Sequence, residues 1–365
     1  MSLLSRNCLR SLSSLCGRFT ALTAFVTVAL VGVTSLGGCG VTFPVPTPPA
    51  ATASLINGGN DGVLILLHVE RADEGHARLG LPVQLDGKAV YLAFDSGIQG
   101  VRVLSKVLPA VNYPVAGPAT SLTFANGAVV SGPSVKLPFS VIGTKPVDLA
   151  VQTVNDVRCL RNQRKCLAMD GYTGEFGYAF SGILGAGAAQ PNDDCCTQPL
   201  RALPGNIGQR YLVHANFDKP FVILSPSTGL THEFTMIPMT ASQNAAAQWP
   251  VGCVQVGEKM RFCAPVVFAT GSTGMIRVET DKAPNWTNDG DENDVLAQGN
   301  YDVALGVGSW QHRYESAQVT IAKAKPGASR IVVGLMAMQN LDVLLDFSRA
   351  QLGLHATRNS ETFAP

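Results

Sequence analysis

The chain has 365 residues, is 46% hydrophobic and 15% charged, and contains 37 Gly, 22 Pro and 9 Cys. At roughly 150 residues per domain, the length predicts two domains or one large all-β unit, and low charge with abundant apolar residues excludes a disordered chain. The 27 basic and 26 acidic residues balance, which excludes a basic nucleic-acid-binding surface.

Residues 1–38 carry Arg6, Arg10 and Arg18 and no acid, followed by an apolar run from Ala21 to Leu36. A basic start, an apolar stretch and small residues before a cut site predict a secretory signal. The run is shorter than the roughly 20 residues of a membrane span, and Gly32 and Thr34 thin it. Leu36-Gly37-Gly38-Cys39 resembles the lipobox of bacterial lipoproteins. The resemblance implies cleavage before Cys39, lipid on its thiol and new N-terminus, and a periplasm-facing envelope protein held at the membrane through that anchor. Gly40, in place of the Asp that retains many lipoproteins at the inner membrane, implies the outer membrane. Residues 39–61, rich in Pro, Ala and Gly, read as a tether. Removing the three signal arginines takes the cations from 27 to 24 against 26 acids, so the mature charge is −2.

From Val63 onward, short apolar runs alternate with turn residues: 63–69, 89–94, 121–124, 147–154, 220–225, 266–269, 317–322 and 342–347. This spacing predicts an all-β protein, with short helices near 103–111 and 335–341. Cys8 and Cys16 leave with the signal and Cys39 goes to lipid, so Cys159, Cys166, Cys195, Cys196, Cys253 and Cys263 remain. An even set in an oxidising compartment reads as disulfides. Cys253 and Cys263 flank a turn-like segment and are expected to pair. The other four are expected to pair among themselves. A Cys195–Cys196 ring would be strained, so each of these two is expected to reach Cys159 or Cys166. No CxxC and no nearby His cluster supports zinc.

The acidic stretch 287–295 lacks the central Gly and terminal Glu of a calcium loop and reads as a solvated loop. The six His residues are isolated. Gly182 to Gly187 lacks the dinucleotide frame, and no nucleophile elbow occurs. No cofactor and no metal are expected.

One element recurs. Tyr91 to Val103 and Val266 to Val278 each read as an apolar strand, a Gly-marked turn and a second apolar strand. Asp95-Ser96-Gly97 in the first corresponds to Ala269-Thr270-Gly271 in the second. Later come Ile183-Leu184-Gly185 and Val332-Val333-Gly334. Duplication on this scale suggests two homologous lobes, 62–225 and 226–365. Asp95-Ser96-Gly97 resembles the catalytic turn of pepsin-like aspartic peptidases, although Asp-Ser-Gly also occurs as an ordinary turn. Leu122 to Ala128 with Ser131-Gly132 resembles that family's flap hairpin. Ser181 to Gly187 resembles the segment beneath the first turn, and Ile331 to Leu335 with Asp342 to Phe347 and Leu352 to Leu354 its C-terminal stretch. The resemblance is ordered over 62–356 and implies a bilobal fold of two β-barrel-like lobes with a cleft.

Family chemistry uses two carboxylates about 3 Å apart that share one proton. One takes a proton from water and the other donates to the scissile carbonyl. Here Ala269 stands at the second Asp, Ile98 at a usual Ser or Thr, and Phe124 at the flap Tyr. Asp281 and Asp302 are not at the turn. Asp95 is the one remaining carboxylate and is expected to stay ionised in a solvated cleft. Ser96, Gly97, Phe124, Thr270, Gly271 and Ser272 are the candidate binding residues. The expectation is a monomeric pseudo-peptidase binding a peptide, a protein or another extended ligand. An active peptidase using Asp95 with another acid, and a structural envelope protein, are the alternatives.

Overall fold

Most of the apolar runs form strands because alternate residues find a buried face. The computed structural model describes residues 62–71, 77–124, 127–141, 143–161, 166, 180–188, 196–241, 247–287, 290 and 294–357; the signal, the tether with Cys39, Cys195 and most of the 287–295 stretch lie outside them. The described residues fall in one compact unit, Thr47–Pro365. The molecule is all-β. Its helices, among the described residues, are single 3-10 turns at Ser105–Val107, Leu200–Ala202, Pro204–Asn206 and Ala337–Asn340, two of them inside the short helical stretches expected. No helix among the described residues is long and apolar enough to cross a membrane.

A nine-stranded sheet occupies the first half, and a closed six-stranded barrel the second. A further six-stranded antiparallel sheet takes Val63–Leu66, Arg210–His214 and Phe221–Leu224 from before residue 225, and Thr235–Pro238, Leu341–Asp346 and Gln351–Ala356 from after it. One apolar core runs through all three, from Leu81, Leu92 and Phe94 past Tyr211, Val213 and Leu345 to Phe268, Val278 and Val333. The single run 63–69 feeds two sheets. Val63–Leu66 pairs with Phe221–Leu224, and His68–Arg71 pairs with Ala77–Gly80. The buried Leu67 between them donates its N–H to the Pro220 carbonyl (3.0 Å).

The duplicated sequence builds the same crossing twice. Gly182–Ala186 lies parallel to Lys88–Asp95 and antiparallel to Gln99–Leu104. Arg330–Gly334 lies parallel to Met260–Ala269 and antiparallel to Ile276–Thr280. In register, Gly185 stands opposite Asp95 and Gly334 opposite Ala269. Each later Gly lets the returning turn lie directly on it. A Cβ at Gly185 would come 2.8 Å from the Ile98 carbonyl oxygen, and one at Gly334 would come 2.2 Å from that of Gly274.

Cys253 and Cys263 sit opposite each other on adjacent barrel strands and are bonded. Cys159 bonds Cys166, which corrects the expectation that these two serve Cys195 and Cys196. The chain returns within seven residues to bring their Cα atoms to 5.6 Å. Cys196 is disulfide-bonded to a partner outside the described residues.

Gly334→Ala is expected to cost about 2–3 kcal/mol, because backbone must move to admit the methyl, and to lower the urea midpoint accordingly. Gly229→Ala is the control: its Cβ would sit 3.6 Å from Ser227 Oγ on the surface, so the change should stay within about 0.5 kcal/mol.

Candidate functional site

Asp95 and Ala269 are the last residues of their strands. The following residues, Ser96 and Thr270, are buried and lock the two turns together. Ser96 N–H donates to Thr270 Oγ1 (3.0 Å), and Thr270 N–H donates to Ser96 Oγ (3.1 Å). The hydroxyls pass the chain onward, Ser96 Oγ donating to the Phe268 carbonyl (2.6 Å) and Thr270 Oγ1 to that of Phe94 (2.7 Å). Each hydroxyl is thus donor and acceptor, as a buried hydroxyl must be to avoid a desolvation penalty. Both side chains build the frame of the site, their polar capacity being spent on backbone.

The turn glycines complete a two-fold pattern. A Cβ at Gly271 would fall 2.2 Å from Asp95 Oδ2, and one at Gly97 would fall 2.4 Å from Ala269 Cβ. Asp95 Oδ1 accepts N–H bonds from Gly97 (2.7 Å) and Gly271 (3.1 Å). Arg78, on the Ala77–Leu85 strand, donates from Nη1 to the Gly271 carbonyl (3.0 Å) and so binds the first half to the second turn. Burial pushes the Asp95 carboxyl above the ordinary carboxylate range; the two N–H bonds and the charges of Arg78 and Arg330 oppose this without cancelling it. Asp95 is half-buried, with the opposite turn crowding its carboxyl, and loss of water on that side is what raises it. Asp281 accepts from the Gly327 N–H and from Ser329 Oγ, and Asp302 accepts from the Ser316 N–H. Ser272 is partly exposed, and its N–H donates to the Ala269 carbonyl (3.1 Å).

The flap-like segment is a hairpin of Val115–Thr123 and Ala128–Val141. Its turn is closed by Phe124 N–H to the Ala128 carbonyl (2.8 Å) and Gly127 N–H to the Phe124 carbonyl (2.9 Å). Phe124 and Ile98 both pack on the cluster of Ala93, Leu104, Val130, Val154, Phe180 and Ile183. The two positions that depart from the resemblance by losing a hydroxyl therefore share one apolar cluster. Arg78 and Arg330 were not singled out from the sequence. The available signal for Arg78 was a cation inside the otherwise apolar run ARLGLPV.

No group of three or more His, Cys, Asp or Glu able to hold a metal occurs among the described residues. No protein-family model and no curated protein matches this chain. The site's own geometry is what bears on function.

Two outcomes follow from this geometry. Thr270→Val removes two buried hydrogen bonds, the one Oγ1 accepts from the Ser96 N–H and the one it donates to the Phe94 carbonyl, and is expected to cost about 2–4 kcal/mol; the double variant with Ser96→Ala should lose much less than the sum of the single changes, in a double-mutant cycle by denaturation. Because the fold raises the Asp95 pKa, the folded chain keeps a proton that the unfolded chain releases, and stability falls as pH rises from the unfolded value through the folded one. Asp95→Asn should therefore melt higher than the parent at neutral pH, with the difference gone at about pH 3.

Proposed function

We propose that the chain is a two-lobed, pepsin-like protein that binds a peptide or another extended ligand in the cleft between its lobes and does not hydrolyse it. The observation that carries this reading is the pair of matched turns with a single carboxylate. Asp95 ends one, and Ala269, a methyl, ends the other. Peptide hydrolysis by this route needs one carboxylate to take the proton of water while another donates to the carbonyl, and Ala269 does neither. Binding keeps what remains. The Asp95 carboxyl offers a hydrogen-bonding group to a ligand, Ile98 and Phe124 offer apolar surface on their shared cluster, and an extended chain can align its backbone along the hairpin as an added strand.

In this reading residues 62–225 and 226–365 are the lobes. The mature protein is a monomer tethered by lipid at Cys39 to the periplasmic face of the outer membrane. Incorporation of radiolabelled palmitate that Cys39→Ala abolishes is the expected mark of that tether.

Screening a peptide library against the purified chain should find ligands whose affinity drops about tenfold or more with Asp95→Ala, the loss of one charge-assisted or buried hydrogen bond. Acid-pH incubation with the same peptides should leave them intact. Cleavage abolished by Asp95→Asn would overturn the reading, and binding abolished only by changes in the 191–206 or 284–300 loops would move the function to the outer surface. Ala269→Asp restores the second carboxylate and is expected to confer slow acid-pH cleavage.

A further inference from the structure

We infer that Arg78 is the positioning residue of the Asp95 site: by holding the Gly271 carbonyl it aims the Gly271 N–H at Asp95 Oδ1, and so leaves Oδ2 as the oxygen that meets a ligand. That a ligand comes there rests on the binding reading above; the link from Arg78 to Asp95 does not.

The two oxygens of Asp95 are unequal. Oδ1 accepts two N–H bonds, from Gly97 (2.7 Å) and Gly271 (3.1 Å). Among the described residues no hydrogen bond reaches Oδ2, and the residue is half-buried. Beside Oδ2 stands the bare Cα of Gly271, where a Cβ would come to 2.2 Å. The two bonds on Oδ1 also differ in what secures them. Gly97 lies two residues from Asp95 in the same turn, so its bond is local. Gly271 comes from 176 residues away, and a glycine has a wide choice of backbone conformation, so its N–H needs something to aim it.

The neighbours of Gly271 are fixed. Thr270 is held by its exchange with Ser96, and Ser272 N–H closes the turn on the Ala269 carbonyl (3.1 Å). Gly271 itself is bonded on its carbonyl side by Arg78 Nη1 (3.0 Å). Arg78 stands on firm ground. Ala77 and Leu79 on either side of it are buried, and its strand pairs with His68–Arg71 on one edge and with Lys88–Asp95 on the other. Neighbouring strands of one sheet therefore grip the same glycine, Asp95 by its N–H and Arg78 by its carbonyl.

The charged groups that act on Asp95 are Arg78 and Arg330. Arg330 Nε donates to Glu279 (2.6 Å), which also accepts from Arg277 Nε (3.0 Å). Arg78 thus favours the ionised carboxyl in two ways, by its charge and through the Gly271 N–H. Charge alone would leave the aim of Gly271 unchanged, and this separates the two.

Following amide and carboxyl resonances of the full chain against pH by NMR tests the inference. In the parent, the Gly97 and Gly271 amide protons should shift with one midpoint, that of the Asp95 carboxyl carbon. Arg78→Met keeps the apolar stem and removes the guanidinium. In it Gly271 should lose most of its pH-linked shift, Gly97 should keep its own, and the carboxyl midpoint should move to higher pH. Arg78→Lys, which retains a donor and a charge, should restore the Gly271 shift. An unchanged Gly271 shift in Arg78→Met overturns the inference even if the midpoint moves. If that variant does not fold, the parent decides: its Arg78 Nη–H signals should be resolved and follow the Asp95 midpoint, and a freely rotating, averaged guanidinium overturns the positioning role. A peptide found by the screen above should shift the carboxyl carbon while both amides keep their bonds to Oδ1; loss of the Gly271 bond on binding overturns the assignment of Oδ2. Failure to bind any peptide, with the amide response intact, would count against the proposed function alone.

Discussion

Four hydrogen bonds among Ser96, Thr270 and the Phe94 and Phe268 carbonyls hold the centre of this molecule together. Two buried hydroxyls brought to one point would be a liability if either lacked its counterpart. Here each satisfies the other's backbone, so the two turns require one another. The Gly271 N–H reaches Asp95 only because Thr270 is locked in place, and Gly97 lies on Ala269 for the same reason. The surroundings of the one carboxylate follow from this contact.

Those surroundings differ in kind from a carboxylate pair. In a pair, like charge at close range keeps one proton on. Around Asp95 the charged groups are cationic, Arg78 and Arg330, and they pull toward ionisation; burial alone outweighs them. The upward shift of Asp95 thus comes from loss of water and not from a second carboxylate, and Ile98, in the same turn, shares an apolar cluster with Phe124 of the hairpin. Hydroxyls at those two positions would have brought polar groups to the same place.

Much of this was legible in the sequence. The apolar runs with turn punctuation fall on strands but mark fewer than half of them, and the spaced Gly residues marked both turns and both crossing strands. The Cys253–Cys263 pair was legible because a tight turn with flanking cysteines forces them opposite. What was missed has physical causes. The 63–69 run reads as one strand because a period of two says nothing about which sheet each part joins. Arg78 was passed over because its partner, the Gly271 carbonyl, lies 193 residues away. The Cys159–Cys166 bond was missed because a seven-residue return carries no pattern that distinguishes it from pairing with a distant cysteine. The side chains nominated at Ser96 and Thr270 were noticed through the turn motif, but their role as mutual backbone partners depends on the two turns meeting.

The sheet that joins the two halves carries a kinetic consequence. Its strand Val63–Leu66 pairs with Phe221–Leu224, and Arg210–His214 must find Leu341–Asp346. Chain ends so distant in sequence meet late, since loop closure over such lengths is slow to be rewarded. During synthesis the first half emerges with Ser96 and Thr270 still apart and with the edge of Arg210–His214 open. The growing protein therefore passes through a stage in which a half-finished sheet is bare, and such edges attract other chains. Completion waits for the last strands, and the surroundings of Asp95 come into being at nearly the same moment as the protein's protection from aggregation.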